Sequence, residues 1–328
     1  MNKNIIEQLK SKLIIRYQVD NNSLNALGGY QNFVYEFKKD NVSYVMRITD
    51  VNHRSVKEIE AELLFLEMLV ENHVPVVRGI KLPHCDLIER FKTDHNEYLV
   101  VVFDKANGLT WTEFKTNDST YYMAGKQLGK IHRISKTMKN DKQRENWSEN
   151  QYLKDAYKVI PNQDILEKME DLIASLNELQ QSNDVFGLVH GDYNFANIIY
   201  NEDQLTIIDF DEAEYHWFIY DIAVYLFYYL LGGDPANMDK EPNIELFKQF
   251  MKGYLEENII LVEWIDKLPL FFRLREFILL SSVYRSNPKK TFHPWQKAYI
   301  ESTEYRILND IPFIDIDYVE LFNDIKNK

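Results

Sequence analysis

Two runs, Leu188-Val189-His190-Gly191-Asp192-Tyr193-Asn194-Phe195-Ala196-Asn197-Ile198-Ile199 and Leu205-Thr206-Ile207-Ile208-Asp209-Phe210-Asp211, carry more chemistry than any other part of the chain. Asp192 and Asn197 are five residues apart, and Asn197 and Asp209 are twelve apart. Each polar group is flanked by β-prone apolar residues, which predicts that each sits at the end of a short strand on a rigid base. A carboxylate, an amide and a second carboxylate presented this way suit Mg²⁺ with a nucleotide, because that ion prefers hard oxygen ligands. One carboxylate is left to orient and deprotonate an attacking hydroxyl.

Outward from these runs, the chain changes character near Gly108. Before it, the spacing of Ile5, Ile6, Leu9, Leu13 and Tyr17 predicts a helix. Strands are expected over Leu24 to Gly29, Tyr30 to Lys38 and Val42 to Thr49, punctuated by Gly28-Gly29 and Asp40-Asn41. Ser55 and Glu58 form a capping box ahead of a helical stripe of Val56, Ile59, Leu63, Leu66 and Val70, which Pro75 stops. Val76 to Leu82, Leu87 to Lys92 and Tyr98 to Phe103 read as further strands. After Gly108, helices are expected over Ser119 to Ile134, Asn150 to Ile160 and Asp164 to Gln181, and again from Ile219 onward. A sheet with one main helix followed by a helical remainder predicts an α+β chain of two unequal parts.

The totals exclude several classes. The 328 residues carry 45% hydrophobic and 27% charged residues and a formal net charge of -13. That balance is globular. The charge argues against a general nucleic-acid binder, which neutralises phosphates with Lys and Arg, and against an anionic membrane surface. It favours a cationic small partner. The single cysteine, Cys85, leaves no internal disulfide and no cysteine-based metal cluster. Met1 to Glu7 lacks the apolar run of a signal peptide, and Ile222 to Leu231 is too short to span a bilayer, so a cytoplasmic protein is expected. The residues specify no oligomeric state.

The form His-Gly-Asp-x4-Asn with Ile-Asp-Phe-Asp resembles the catalytic and metal-binding loops of the aminoglycoside phosphotransferase and choline kinase family, within the protein-kinase-like superfamily. Protein kinases usually have Arg where Gly191 stands and Gly where Asp211 stands. The resemblance implies a two-lobed protein-kinase-like fold: a small, mainly antiparallel β N-lobe with one main helix over residues 1–104, binding nucleotide, and a larger helical C-lobe over 105–328, carrying catalysis and substrate. It implies ATP and Mg²⁺ as cofactors, Asp192 as the catalytic carboxylate and Asn197 and Asp209 as metal ligands. His190 would brace the loop, Asp221 would tie it down, and Asp211 would be a second acidic position facing metal or substrate. For Asp221 the residues alone also allow a helix N-cap.

On the nucleotide side, Gly28-Gly29-Tyr30-Gln31-Asn32 resembles the phosphate-covering loop, with Asn32 at its polar position; a plain hairpin is the other reading. Arg47, one cation in the apolar run Tyr44 to Ile48, matches the residue that grips ATP phosphates and pairs with a helix glutamate; strand alternation also permits it to face outward. The helical face leaves Glu60 and Glu62 open as that partner, and the resemblance implies Glu62. Backbone groups near Asp104 and Ala106 would meet the adenine edge, backed by Phe103. Leu128-Gly129-Lys130-Ile131-His132 resembles a family helix, with His132 a bracing histidine. His84, His95 and His293 show no ligand spacing. Tyr193, Phe195, Tyr215, Trp217 and Phe218 are candidates to shape a substrate pocket, and Glu212 and Glu214 add negative charge.

The implied activity is transfer of the γ-phosphoryl of Mg·ATP to a hydroxyl of a small molecule: an aminoglycoside, homoserine, choline or a sugar-like compound. Two alternatives stand beside it: a Ser/Thr protein kinase of the stress-response type, which shares the His-Gly-Asp pattern, and a nucleotide-binding regulatory pseudokinase. Intact Asp192, Asn197 and Asp209 speak against the second. The short interval from Asp209 to Asp221 holds no phosphorylatable activation loop, and Gly191 replaces the arginine such a loop would engage.

Overall fold

The computed structural model describes residues 3–20, 22–29, 31–93, 96–138, 143–201, 204–231, 240–287 and 291–326. Tyr30 and His95 lie outside the described residues, as do the side chains of Ile5 and Ile6. In chain order the elements are α1 (Lys3–Tyr17), β1 (Asn25–Gly28), β2 (Phe33–Lys39), β3 (Val42–Asp50), α2 (Val56–Glu71), β4 (Glu89–Lys92) and β5 (Glu97–Asp104). Then follow α3 (Asp118–Ser135), α4 (Gln151–Val159), α5 (Gln163–Asn177), β6 (Phe186–Val189), β7 (Ile198–Asn201), β8 (Gln204–Ile207) and β9 (Glu214–Trp217). The chain continues through α6 (Phe218–Leu231), α7 (Lys240–Glu257), α8 (Val262–Ile265), α9 (Leu268–Ser286), α10 (Pro294–Leu308) and α11 (Tyr318–Lys326). Among the described residues no helix is long and apolar enough to cross a membrane.

Two compact units share the chain: Met1–Phe114 with Ile198–Asp211, and Lys115–Asn197 with Glu212–Lys328. This division differs from a single cut after residue 104, because the β7–β8 hairpin belongs with the N-terminal sheet unit. Pairing supplies the reason: Ile207 bridges Val76, and Leu109 exchanges backbone hydrogen bonds with Tyr200.

In the first unit, strands β1-β2-β3-β5-β4 form an antiparallel sheet. Side chains alternate across it. Tyr35 and Phe37 of β2, Met46 and Ile48 of β3 and Val100 and Val102 of β5 pack against Leu9, Leu13 and Tyr17 of α1. Each large side chain so buried contributes roughly 1.5–3 kcal/mol. Arg47, between Met46 and Ile48, therefore points to the opposite face, on the side of α2. That helix starts as its sequence dictates: Ser55 accepts from the Glu58 amide, and the Glu58 carboxylate accepts from the Ser55 amide. The expected strand over Val76 to Leu82 is not formed; only isolated bridges at Val76 and Gly79 occur there. Pro75 and Pro83 remove donors at both ends, so no ladder can extend.

The second unit is helical around the antiparallel pair β6–β9. That pair sets the carboxyl end of β6 immediately before His190, and β9 immediately before α6. The loop carrying Asp192 and the helix carrying Asp221 thus start from one small ladder.

Candidate active site

The second unit brings Asp192, Asn197, His190 and Asp221 together. Asp221 is the fourth residue of α6 rather than its N-cap. Its fully buried carboxylate accepts from the His190 amide at 2.8 Å, the Gly191 amide at 2.9 Å and His132 Nε2 at 3.1 Å. Burial alone would raise this carboxyl, and His132 with the backbone donors more than reverses that, holding it below the usual range. His132 is itself anchored by Tyr254 Oη at 2.9 Å, so α3, α6 and α7 converge on the loop. His190, also fully buried, accepts from the Asp192 amide through Nδ1 at 3.3 Å.

Gly191 adopts φ +81°, and a Cβ there would lie 2.0 Å from the carbonyl oxygen of Glu212. No side chain fits, which accounts physically for a glycine where protein kinases carry arginine. Asp192 is part-exposed at the tip of this loop. The Asn197 amide donates to the Asp192 carbonyl at 2.9 Å and to its Oδ2 at 3.0 Å. With its NH₂ committed to Asp192, the oxygen of the Asn197 amide is the atom that could serve a metal. The other Asp192 oxygen, Oδ1, accepts from Arg275 of α9, which sequence reading did not single out.

In the first unit Arg47 and Glu62 form a buried, two-pronged ion pair at 2.8 and 2.5 Å, while Glu60 is exposed. Burial alone would make the guanidinium less basic; Glu62, Asp211 and Asp209 reverse this and raise it. Phe103 backs it, its ring centroid 5.2 Å from the guanidinium carbon. Asp211 is buried and bonded to His53 Nε2 at 2.8 Å, with Arg47 and Arg54 at 3.8 and 3.7 Å. Burial would raise its carboxyl, but these three partners hold it well below the usual carboxylate range. Neither His53 nor Arg54 carries a sequence signal for this role beyond lying just ahead of the cap residue Ser55. Asp209 follows β8 at φ +62°, exposed. A non-glycine residue in this left-handed region is uncommon and concentrates at functional positions.

Gly28 and Gly29 adopt φ +109° and +122°, and a Cβ on Gly29 would lie 2.1 Å from the Asn32 carbonyl oxygen. The chain is therefore close-packed at Gly29. The Asn32 side chain is buried and its Oδ1 has no hydrogen-bond partner. Such a group costs free energy unless something polar meets it, and with the amide turned over its NH₂ suits a phosphate oxygen. Asp104 and Ala106 lie at the end of β5 and just beyond it, half-buried, with Asp104 Oδ1 accepting from the Arg78 amide at 2.6 Å. Burial raises the Asp104 carboxyl.

The aromatic residues expected to shape a pocket are mostly core. Tyr193, Tyr215, Trp217 and Phe218 are buried, and Tyr193 and Trp217 spend their polar atoms on the Ala124 and Gln180 carbonyls at 2.8 Å. Phe195 alone of the five is half-exposed, edge-on to Tyr229 at 5.0 Å. Glu214 is also buried, accepting from Asn150 at 3.0 Å.

Residues 24–258, most of the chain, match the phosphotransferase enzyme family. The chain belongs to this family. Within it the relatives place the chain in the aminoglycoside phosphotransferase and choline kinase group of the protein-kinase-like superfamily. It is similar to amicoumacin kinase of Bacillus subtilis (strain 168), at 28% identity over 322 residues and 96% of each chain. It is also similar to the solved structure of an amicoumacin kinase in complex with AMP-PNP, Ca²⁺ and Ami, with a TM-score of 0.89, 26% identity and coverage of 98% of this chain and 100% of that one. A microcompartment-associated aminopropanol kinase shares the fold, with a TM-score of 0.74 at 19% identity over 93% of this chain and 98% of that one. The family member described here is a kinase: it moves a phosphoryl group to a hydroxyl of a small molecule. Its antiparallel N-terminal sheet and helical C-terminal part are those of kinase-like structures.

Proposed function

We propose that this phosphotransferase moves the γ-phosphoryl group of Mg·ATP to a hydroxyl of amicoumacin or a closely similar acceptor, with Asp192 orienting that hydroxyl and accepting its proton. The supporting observation is the bracing of Asp192: Asp221 gathers the two backbone amides before it, and Asn197 fixes Oδ2 at 3.0 Å. When bound, Mg²⁺ with ATP supplies the transferable phosphoryl group and offsets its charge. Asn197 Oδ1 and Asp209 would hold the ion. Arg47, kept in place by Glu62, would grip phosphate oxygens, and the Gly28-Gly29 turn with Asn32 would cover them. Asp104 and Ala106 would present backbone groups to the adenine edge. The acidic balance of the chain suits a cationic acceptor.

The similarity to two amicoumacin kinases over nearly the whole chain selects the first acceptor to try. Turnover of ATP would be measured with amicoumacin, aminopropanol, choline, homoserine, an aminoglycoside and a generic protein, with products identified by mass. A phosphorylated small molecule, absent with Asp192→Ala and after removal of Mg²⁺, is expected. Labelled protein with no small-molecule product, or undiminished turnover by Asp192→Ala, would overturn the reading.

A further inference from the structure

We infer that Arg275 is a positioning residue for Asp192, presetting its carboxylate before the acceptor arrives; this rests on the role proposed for Asp192. Arg275 and Glu276 are adjacent charges in the middle of α9, whose neighbours Phe271, Phe272, Leu274, Phe277 and Ile278 are buried. The two charges are met separately. Glu276 pairs with Arg306 and Arg273, each at 2.8 Å. Arg275, itself buried, sends Nη2 to Asp192 Oδ1 and to Tyr228 Oη at 2.7 Å, and Nη1 to Tyr220 Oη at 3.1 Å. Tyr228 also places its ring centroid 5.0 Å from the guanidinium carbon. Among the described residues Asp192 is the carboxylate that bonds this cation.

A guanidinium does not lose its charge in a protein, and holding it out of water is costly unless a carboxylate meets it in good geometry. A bond retained at that cost has a consequence at the loop. Arg275 fixes Oδ1 and Asn197 fixes Oδ2, so both ends of the Asp192 carboxylate are set from different elements. A carboxylate has about four lone-pair sites, so each oxygen retains capacity for the acceptor hydroxyl. The side chain is still 28% exposed, so an acceptor can reach it. Tyr220 lies in the same helix as Asp221, one residue away, so α6 supports both the loop backbone and the arginine that holds its carboxylate. Orientation settled in advance is, with charge stabilisation, what a protein contributes to phosphoryl transfer, in which little covalent chemistry falls to side chains.

The test uses the full chain with Mg·ATP, amicoumacin as acceptor, and water as acceptor through slow ATP hydrolysis. Arg275→Ala is expected to lower kcat roughly 100-fold, the loss typical of one preorganised group, with acceptor KM changed by no more than about twofold. Millimolar guanidinium should restore part of the activity of Arg275→Ala and none to Asp192→Ala. Arg275→Lys should recover little, because an ammonium cannot span Asp192 and both tyrosine hydroxyls. Tyr228→Phe removes one bond only; it should fold and show a smaller kcat loss, which keeps the inference open to test if Arg275→Ala does not fold. Unchanged kcat in a folded Arg275→Ala or Tyr228→Phe variant, or a rise in acceptor KM with kcat kept, overturns the positioning role. Activity surviving Asp192→Ala instead sinks the underlying assignment, whatever Arg275 does.

Discussion

Arg47 and Glu62 form a two-pronged ion pair with both side chains almost wholly withdrawn from solvent, 6% and 1% exposed. The pair joins the middle of β3 to the core face of α2. An arginine suits this position because its planar fork meets both carboxylate oxygens at once.

Breaking this pair should cost more than deleting it. Glu62→Gln leaves a buried guanidinium without its hydrogen-bonded carboxylate, with Asp211 at 3.8 Å. Unfolding in urea is expected to show a loss of about 3–5 kcal/mol. The double change Arg47→Met with Glu62→Leu should recover most of that stability while ATP affinity stays low. Equal instability of the single and double variants would mean that α2 packing, not charge pairing, explains the loss.

Gly191→Ala should abolish turnover with a smaller effect on folding. Its φ of +81° disfavours any Cβ by roughly 1–2 kcal/mol. The contact of 2.0 Å with the Glu212 carbonyl adds a displacement of the loop that only backbone movement can relieve. Gly79→Ala is the control: the added Cβ there meets the movable ends of the Leu63 and Leu87 side chains rather than backbone. Comparable kcat values for the two variants would remove Gly191 from its role in placing Asp192.

Asp221→Asn tests the bracing from the other side. The amide puts an NH₂ group where two backbone N–H groups and a histidine converge, so at least one donor loses its acceptor. A shift of about 1 Å in the Asp192 loop corresponds to roughly 100-fold in rate. We expect kcat to fall by that order with Mg·ATP affinity retained, measured by single-turnover kinetics and calorimetry. Retained kcat would show that His190 and Asn197 suffice to hold the loop.

What the sequence disclosed follows from the range of each interaction. The capping box at Ser55 and Glu58 and the alternation of Tyr35 and Phe37 are local, and spacing alone reveals them. The loop of His190 to Asn197 is also read locally, because its groups lie within a few residues of one another. Arg275 was invisible for the opposite reason: it is 83 residues from Asp192, and an arginine in a helix usually means a solvated face. Its one signal was the apolar run on both sides. The buried aromatics misled because Tyr193 lies within the loop of His190 to Asn197, and Trp217 and Phe218 follow shortly after Asp211, while their rings pack inward. Proximity along a chain fixes neither the direction of a side chain nor its burial. Val76 to Leu82 misled in the same way, since apolar composition cannot report the ladder donors that Pro75 and Pro83 remove.

His216 makes the stability of the second unit pH-dependent. It is buried on β9, stacked on Tyr220 at 3.9 Å, and its Nδ1 accepts from the Trp217 amide at 2.8 Å. Burial pushes its pKa down to about 3. In the unfolded chain the same ring titrates near about 6.5. Between those values the unfolded state binds a proton that the folded state refuses, so stability rises with pH across this window and is lost as pH falls. The slope from one such group is about 1.4 kcal/mol per pH unit. His216→Gln removes this contribution while leaving other titrating groups in place. Urea unfolding at pH 7, 6 and 5 should therefore show the wild type's advantage over the variant shrinking, by about 2 kcal/mol between the upper and lower ends. A difference independent of pH over that range would mean that His216 is not held neutral in the folded protein.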